Sequence, residues 1–197
     1  MHITTLAVGP IQTNCYLVTD GVSGLAAVID PGDEADTILS RLEELRLTPS
    51  HVLLTHGHFD HTGAVAKLME AGAKLVAHKN LESREGFVPD IPVDEDNHAF
   101  AAAGLDFFVY HTPGHTRDSV CYRVGGALFT GDTLFEGDCG RTDLPGGSYP
   151  EILKSLARLA RIELDLAVYP GHDVSTTLAE ERLSNRNVLE ALRANPD

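Results

Sequence analysis

Apolar residues along the chain fall into short runs separated by turn signals, and the spacing within each run predicts its element. Ile3 to Val8, Cys15 to Thr19 and Ala26 to Ile29 read as strands, interrupted at Gly9-Pro10 and Asp20-Gly21. From Ala35 to Leu47 the apolar positions Ile38, Leu39, Leu42 and Leu45 switch to helical spacing, and Pro49 follows shortly after. A short strand over Val52 to Thr55 leads through a histidine-rich loop into a helix reaching about Ala71, then to a strand at Lys74 to Ala77. Residues Lys79 to Asn97 are polar and proline-interrupted, which predicts an irregular loop with a helical turn. Leu105 to Tyr110, Val120 to Val124, Ala127 to Thr130 and Leu166 to Tyr169 read as further strands. Tyr149 to Ile162 is an amphipathic helix through Ile152, Leu153, Leu156 and Leu159, and Thr176 to Leu192 is read as a last helix.

A strand-rich first half with helices interspersed throughout predicts sheets covered by helices on their outer faces, an α/β architecture. At 197 residues, with no repeat, low-complexity tract or linker, one domain over 1–197 with a sizeable core is expected. A hydrophobic content of 43% and a charged content of 22% are ordinary for a soluble globular chain. The formal net charge of -14 argues against nucleic acid, and equally against an anionic membrane face. No run approaches the ~18 apolar residues of a membrane span, and the start Met1-His2-Ile3-Thr4-Thr5 carries no visible signal peptide. Cys15, Cys121 and Cys139 are odd in number and widely separated, which fits a reducing, cytoplasmic setting rather than a disulfide framework. Cys15 and Cys121 lie in strand-like runs, where a thiol serves most often as a small buried apolar group.

The chemistry concentrates in Thr55-His56-Gly57-His58-Phe59-Asp60-His61, three imidazoles and a carboxylate directly after an apolar strand. Imidazole and carboxylate are ligands that zinc and iron select, and the end of a strand is where α/β architectures usually place their chemistry. Two further histidines repeat that context: His115 and His172 each follow a Pro-Gly turn just past a strand, and Asp132 follows Gly131 in the same way. Strand ends of one sheet converge in space, so these groups point to one shared metal site. Asp30, in Ile29-Asp30-Pro31-Gly32, reads equally as a residue holding a ligand in place and as a turn cap. His78 lacks a partner motif and reads as a packing residue, and His2, His51, His98 and His111 have no metal-like context.

The series His56-x-His58-x-Asp60-His61, His115, Asp132 and His172 resembles the ligand series of the metallo-β-lactamase superfamily, and the likeness runs nearly the whole chain. It includes Val28 to Gly32 and Asp132-Thr133-Leu134-Phe135; Cys139 to Asp143 and Pro170 to Asp173 look more specifically like glyoxalase II. The resemblance implies a four-layer α/β/β/α sandwich and two divalent metal ions, zinc first, with iron or manganese acceptable to the same ligands. Carried over by position, His56, His58 and His115 would bind one ion, Asp60, His61 and His172 the other, with Asp132 bridging. The carboxylates Asp60 and Asp132 are the expected catalytic residues. Arg141 matches a basic position that contacts substrate.

The implied activity is hydrolysis of a small-molecule acyl thioester, such as lactoylglutathione, by a hydroxide held between the two ions. A thioester suits such a site because its thiol, with a pKa near ~8.5, leaves without a strong general acid. Only one helix's worth of chain follows His172, so the C-terminal helical domain that binds glutathione in full-length glyoxalase II is expected to be lacking, and Val174 replaces its tyrosine. Asn185 falls where single-domain relatives often have Asn-Pro, but Arg186 follows it. One rival is the persulfide dioxygenase type, which shares the Cys139 to Asp143 motif and would use a single iron on His56, His115 and Asp132. Lactone or phosphodiester hydrolysis on the same fold is another, and a metal-binding protein without catalysis is disfavoured by open coordination positions. His58, in place of a glutamate, disfavours the diiron oxidoreductases of the superfamily. The sequence is silent on oligomeric state.

Overall fold

The computed structural model describes residues 1–94 and 98–196, with the side chain of His98 outside the description. One six-stranded sheet runs β1 (His2–Val8), β2 (Thr13–Thr19), β3 (Leu25–Ile29), β4 (Thr48–Leu53), β5 (Lys74–His78) and β6 (Ile91–Val93) in that spatial order. Pairing is antiparallel from β1 to β3 and parallel from β3 to β6. The second sheet contains β7 (His98–Ala102), β8 (Leu105–His111), β9 (Val120–Val124), β10 (Ala127–Gly131), β13 (Ala167–Pro170) and β14 (Thr176–Thr177). Its order is β14-β13-β10-β9-β8-β7, with β10 and β13 parallel. A small hairpin of β11 (Leu134–Phe135) and β12 (Asp138–Cys139) follows β10.

Strand residues alternate between faces, and that period assigns them to layers. Tyr16, Val18, Ala27, Ile29 and Leu53 point between the sheets, where they meet Phe107, Val109, Tyr122 and Phe129 of the second sheet. Their neighbours Cys15, Leu17, Ala26, Val28 and Val52 point the other way, under α1 (Ala35–Glu44) and α3 (Val65–Glu70). Both faces are therefore covered, which is why β2 is buried along its whole length and is apolar at four successive positions, Cys15 to Val18, rather than at alternate ones. On the far side Cys121, Leu128 and Val168 pack under α4 (Tyr149–Ala160), α5 (Leu178–Ser184) and α6 (Arg186–Ala194). The result is the expected α/β/β/α sandwich.

Helix α4 starts where Ser148 accepts from the Glu151 amide and Pro150 occupies the first turn. It buries Ile152, Leu153, Leu156 and Leu159, each worth ~1.5–3 kcal/mol of transfer free energy. Several elements differ from the sequence reading. The helix over 35–47 stops at Glu44, and the stretch after the histidine cluster is two short helices, α2 (Phe59–Thr62) and α3. The last helix is broken: Asn185 takes an extended conformation, ends α5 and caps α6 by accepting from the Asn187 and Val188 amides. The polar stretch Lys79 to Asn97 contains β6, and its residues 95–97 lie outside the described residues. No helix among the described residues is long and apolar enough to cross a membrane.

Candidate metal centre

Strands β3, β4, β8, β10 and β13 deliver Asp30, His56, His115, Asp132 and His172 past their carboxyl ends at one edge of the sandwich. The loop after β4 turns into α2, whose N-cap is His58 and whose first turn carries Asp60 and His61. All seven residues expected as ligands come together there. His58 Nδ1 lies 3.1 Å from His56 Nε2 and 2.9 Å from His115 Nε2. His61 Nε2 lies 3.4 Å from Asp132 Oδ1 and 3.6 Å from Asp60 Oδ2. His172 Nε2 lies 3.3 Å from Asp60 Oδ2 and 3.6 Å from Asp132 Oδ2, and His115 Nε2 lies 3.4 Å from Asp132 Oδ2. Ligand atoms fall into three triads, His56-His58-His115, His56-His61-Asp132 and Asp60-His61-His172, each within 4.8 Å.

Hydrogen bonds behind the cluster fix which ring nitrogen faces inward. The Thr55 hydroxyl donates to Asp30 Oδ2 at 2.7 Å, so its contact of 3.1 Å with His56 Nδ1 requires the imidazole to donate. His115 Nδ1 donates to the Arg141 carbonyl at 2.7 Å. In the neutral rings, both Nε2 atoms then present lone pairs, and both aim at His58 Nδ1, which can donate to only one of them. Three nitrogens converging with too few protons is an arrangement a cation resolves. Zinc–nitrogen bonds of 2.0–2.1 Å in a tetrahedral site would set ligand nitrogens about 3.3 Å apart, close to these spacings. Around His61 the imbalance recurs: both ring nitrogens and Asp132 Oδ1 are buried without a hydrogen bond, although Asp30 Oδ2 approaches Nδ1 to 3.2 Å. The donor set fits metal binding, and the cluster is a candidate metal-binding site.

Electrostatics agree with that reading. Burial, reinforced by the neighbouring imidazoles, holds His56 well below the usual imidazole range, and burial with His115 lowers His58. Burial opposes ionisation of Asp60 and Asp132, but the surrounding histidines outweigh it and keep both carboxylates below their ordinary range. At His61 burial also opposes charge, yet Asp132 and Asp30 raise it well above normal, and the hydrogen bond to Asp60 raises His172. The carboxylates thus demand positive charge at this point, and the proton they hold on His61 is the one an ion would displace.

Asp30, left open between two roles by the sequence, accepts from the Thr55 amide and hydroxyl and faces His61, so it organises the ligands. It does so from a left-handed backbone, φ 49°. Sequence reasoning missed Thr55 as a linking residue. It also missed Asn14 and Tyr16, which donate to the Pro170 carbonyl and hold the His172 loop. Gly171 is needed for close approach: a Cβ there would sit 2.3 Å from Asp132 Oδ1 and 2.8 Å from His61 Cε1. Arg141 reaches the cluster through its backbone, while its exposed guanidinium is paired to Asp143 at 2.7 and 2.8 Å. His78 is buried and stacks on His111 at 4.6 Å, outside the cluster. Cys15 and Cys121 are buried, as expected.

Fold and site together define a class: a two-sheet α/β sandwich with a histidine–aspartate metal-binding cluster at its strand ends. More particularly, the chain belongs to the metallo-beta-lactamase superfamily, whose family model matches residues 8–174. It is 33% identical to the hydroxyacylglutathione hydrolase GloC of Haemophilus influenzae, across 94% of this chain and 97% of that protein. Among solved structures it resembles ETHE1 from Myxococcus xanthus, with a TM-score of 0.87, 35% identity, and coverage of 96% of this chain and 85% of the other. It also resembles TTHA1623 in a di-iron-bound form, with a TM-score of 0.80, 35% identity, and coverage of 93% and 98%.

Proposed function

We propose that this chain is a two-metal hydrolase of acyl thioesters, of the glyoxalase II type. In this reading His56, His58 and His115 would hold one ion and Asp60, His61 and His172 the second, with Asp132 available to both. Bound there, the ions supply Lewis acidity and bring the pKa of water toward neutrality. The protein's own part is to fix the ligands and their protonation. Thr55 and the Arg141 carbonyl hold the protons of His56 and His115 on Nδ1, away from the centre. Asp60 and Asp132 stay ionised at neutral pH, because their carboxyls lie below the ordinary range. His58 and His172 are only half-buried, so the cluster opens to solvent and substrate on their side. A thiolate leaves without a proton donor, which matches a site built from ligands alone. Arg141, opening from Asp143, is the group available to an anionic thiol carrier.

The observation that carries this reading is the complete seven-ligand set, supported by the likeness to GloC over nearly the full length of both chains. Metal-loaded protein is expected to hydrolyse lactoylglutathione or another member of an acyl-thioester panel. No turnover of any of them overturns the proposal. One iron per chain with oxygen uptake on glutathione persulfide would replace it with the dioxygenase reading, on His56, His115 and Asp132.

A further inference from the structure

Phe59 stands in the middle of the ligand cluster yet is 60% exposed, and the metal chemistry gives it no role. It lines a cavity of about 370 Å³ together with Asp60 and Thr13. The end of β1 and the turn after it contribute Val8, Pro10 and Ile11 to the same lining, the last of these 51% exposed. The floor is rigid backbone. The Gly63 amide donates to the Gly32 carbonyl at 3.0 Å, and an ideal Cβ on Gly32 would lie 1.7 Å from the Asp60 carbonyl oxygen. The turn is closed by a 3.1 Å bond from the Gln12 amide to the Gly9 carbonyl. The charged groups Arg84, Glu85 and Asp33 also line it; Glu85 accepts from the Thr62 hydroxyl and Asp33 from the Glu34 amide. The cavity thus has an apolar side made by Val8, Pro10, Ile11 and Phe59, a polar rim, and a border with the metal-binding cluster at Asp60.

We infer that this cavity receives the acyl chain of the substrate and selects an apolar chain longer than lactoyl. The inference rests on the thioesterase reading and names its substrate class. At about 30 Å³ per water-sized group, the cavity has room for roughly twelve such groups, more than an octanoyl chain needs. Each methylene moved from water into it should raise kcat/KM about fourfold until the space is filled.

The test holds the thiol constant. Lactoyl-, butyryl-, hexanoyl- and octanoylglutathione are compared on metal-loaded wild type and Ile11→Ser, alongside calorimetric binding of the unreactive thioethers S-methyl- and S-octylglutathione. The expected result is a rise of roughly 16-fold from butyryl to hexanoyl in wild type. Ile11→Ser should flatten that slope and weaken the octyl thioether more than the methyl one. Turnover with a flat chain-length profile, or a slope unchanged in Ile11→Ser, overturns the acyl pocket and leaves the thioesterase reading standing. If no thioester is turned over, that reading fails, and the thioether pair decides the pocket alone: equal binding of methyl and octyl forms overturns it.

Discussion

Replacing Gly171 with alanine adds one methyl group at the point where Asp132 and His61 meet. An ideal Cβ there lies 2.3 Å from Asp132 Oδ1, 2.8 Å from His61 Cε1 and 3.2 Å from the Gly131 carbonyl carbon. Non-bonded Cβ contacts under 3.0 Å are essentially never tolerated, so the Asp132 carboxylate must retreat by at least 0.7 Å. Gly171 does not have the left-handed φ that would penalise any side chain, so the cost falls on the site and not on the backbone. Its amide bond to Gly131 and its carbonyl bond from Asn14, both 2.8 Å, keep the loop from yielding. Overpacking of this kind costs ~1–3 kcal/mol. At about 2–4 °C per kcal/mol for a chain of this size, the melting temperature should fall by roughly 2–12 °C. A ligand displaced by about 1 Å should cost on the order of 10²-fold in turnover. Elemental analysis after desalting, with kcat at saturating metal, reads both effects. Gly126→Ala is the control, since nothing lies within 4 Å of its Cβ. Gly171→Ala with unchanged metal content and kcat within threefold of wild type would refute the bridging placement of Asp132.

Thr55→Val should lower metal affinity about 10–100-fold, because the Asp30–Thr55–His56 chain loses its middle member; competition with a chromophoric chelator measures this, and unchanged affinity contradicts it. Asn185→Ala removes the donor to the Phe135 and Asp138 carbonyls and to Glu181, together with the cap of α6. A loss of about 3 kcal/mol, and of roughly 6–12 °C in melting temperature, is expected by calorimetry. The Cys139 thiol is pushed up to about 11 by burial and by Asp138 and Glu190. A raised thiol pKa favours the neutral form, so the thiolate fraction is roughly 0.1% at pH 8 and grows tenfold per unit toward pH 11. Alkylation of Cys139 by iodoacetamide, followed by mass spectrometry, should climb about tenfold from pH 8 to 9; a rate already level at pH 8 would refute it.

Elements that bury an apolar face on their own were legible in the sequence. Runs such as Cys15 to Thr19 and Ala26 to Ile29 are buried on both faces, and the Ile152-Leu156-Leu159 stripe of α4 packs on the second sheet. What escaped was settled by pairing or capping. Strand β7, His98–Ala102, is largely alanine and becomes a strand through its register with β8. The break at Asn185 interrupts a helical periodicity that continues from Leu178 to Val188, and the signal was the capping chemistry of Asn185 itself. The ligand cluster could be read because each member follows an apolar strand and carries a distinctive donor. Of its supports only Asp30 was half legible, as one of two readings; the rest were not, since Tyr16 meets Pro170 across 154 positions and Thr55 meets Asp30 across 25.

If the cluster works as a pair of metal sites, activity must follow the second ion as well as the first. Stepwise addition of zinc to chelator-treated protein, with thioester hydrolysis measured at each step, tests it most directly. Activity is expected to reach its maximum at two ions per chain; a maximum at one ion, unchanged by a second, would rule out the paired site.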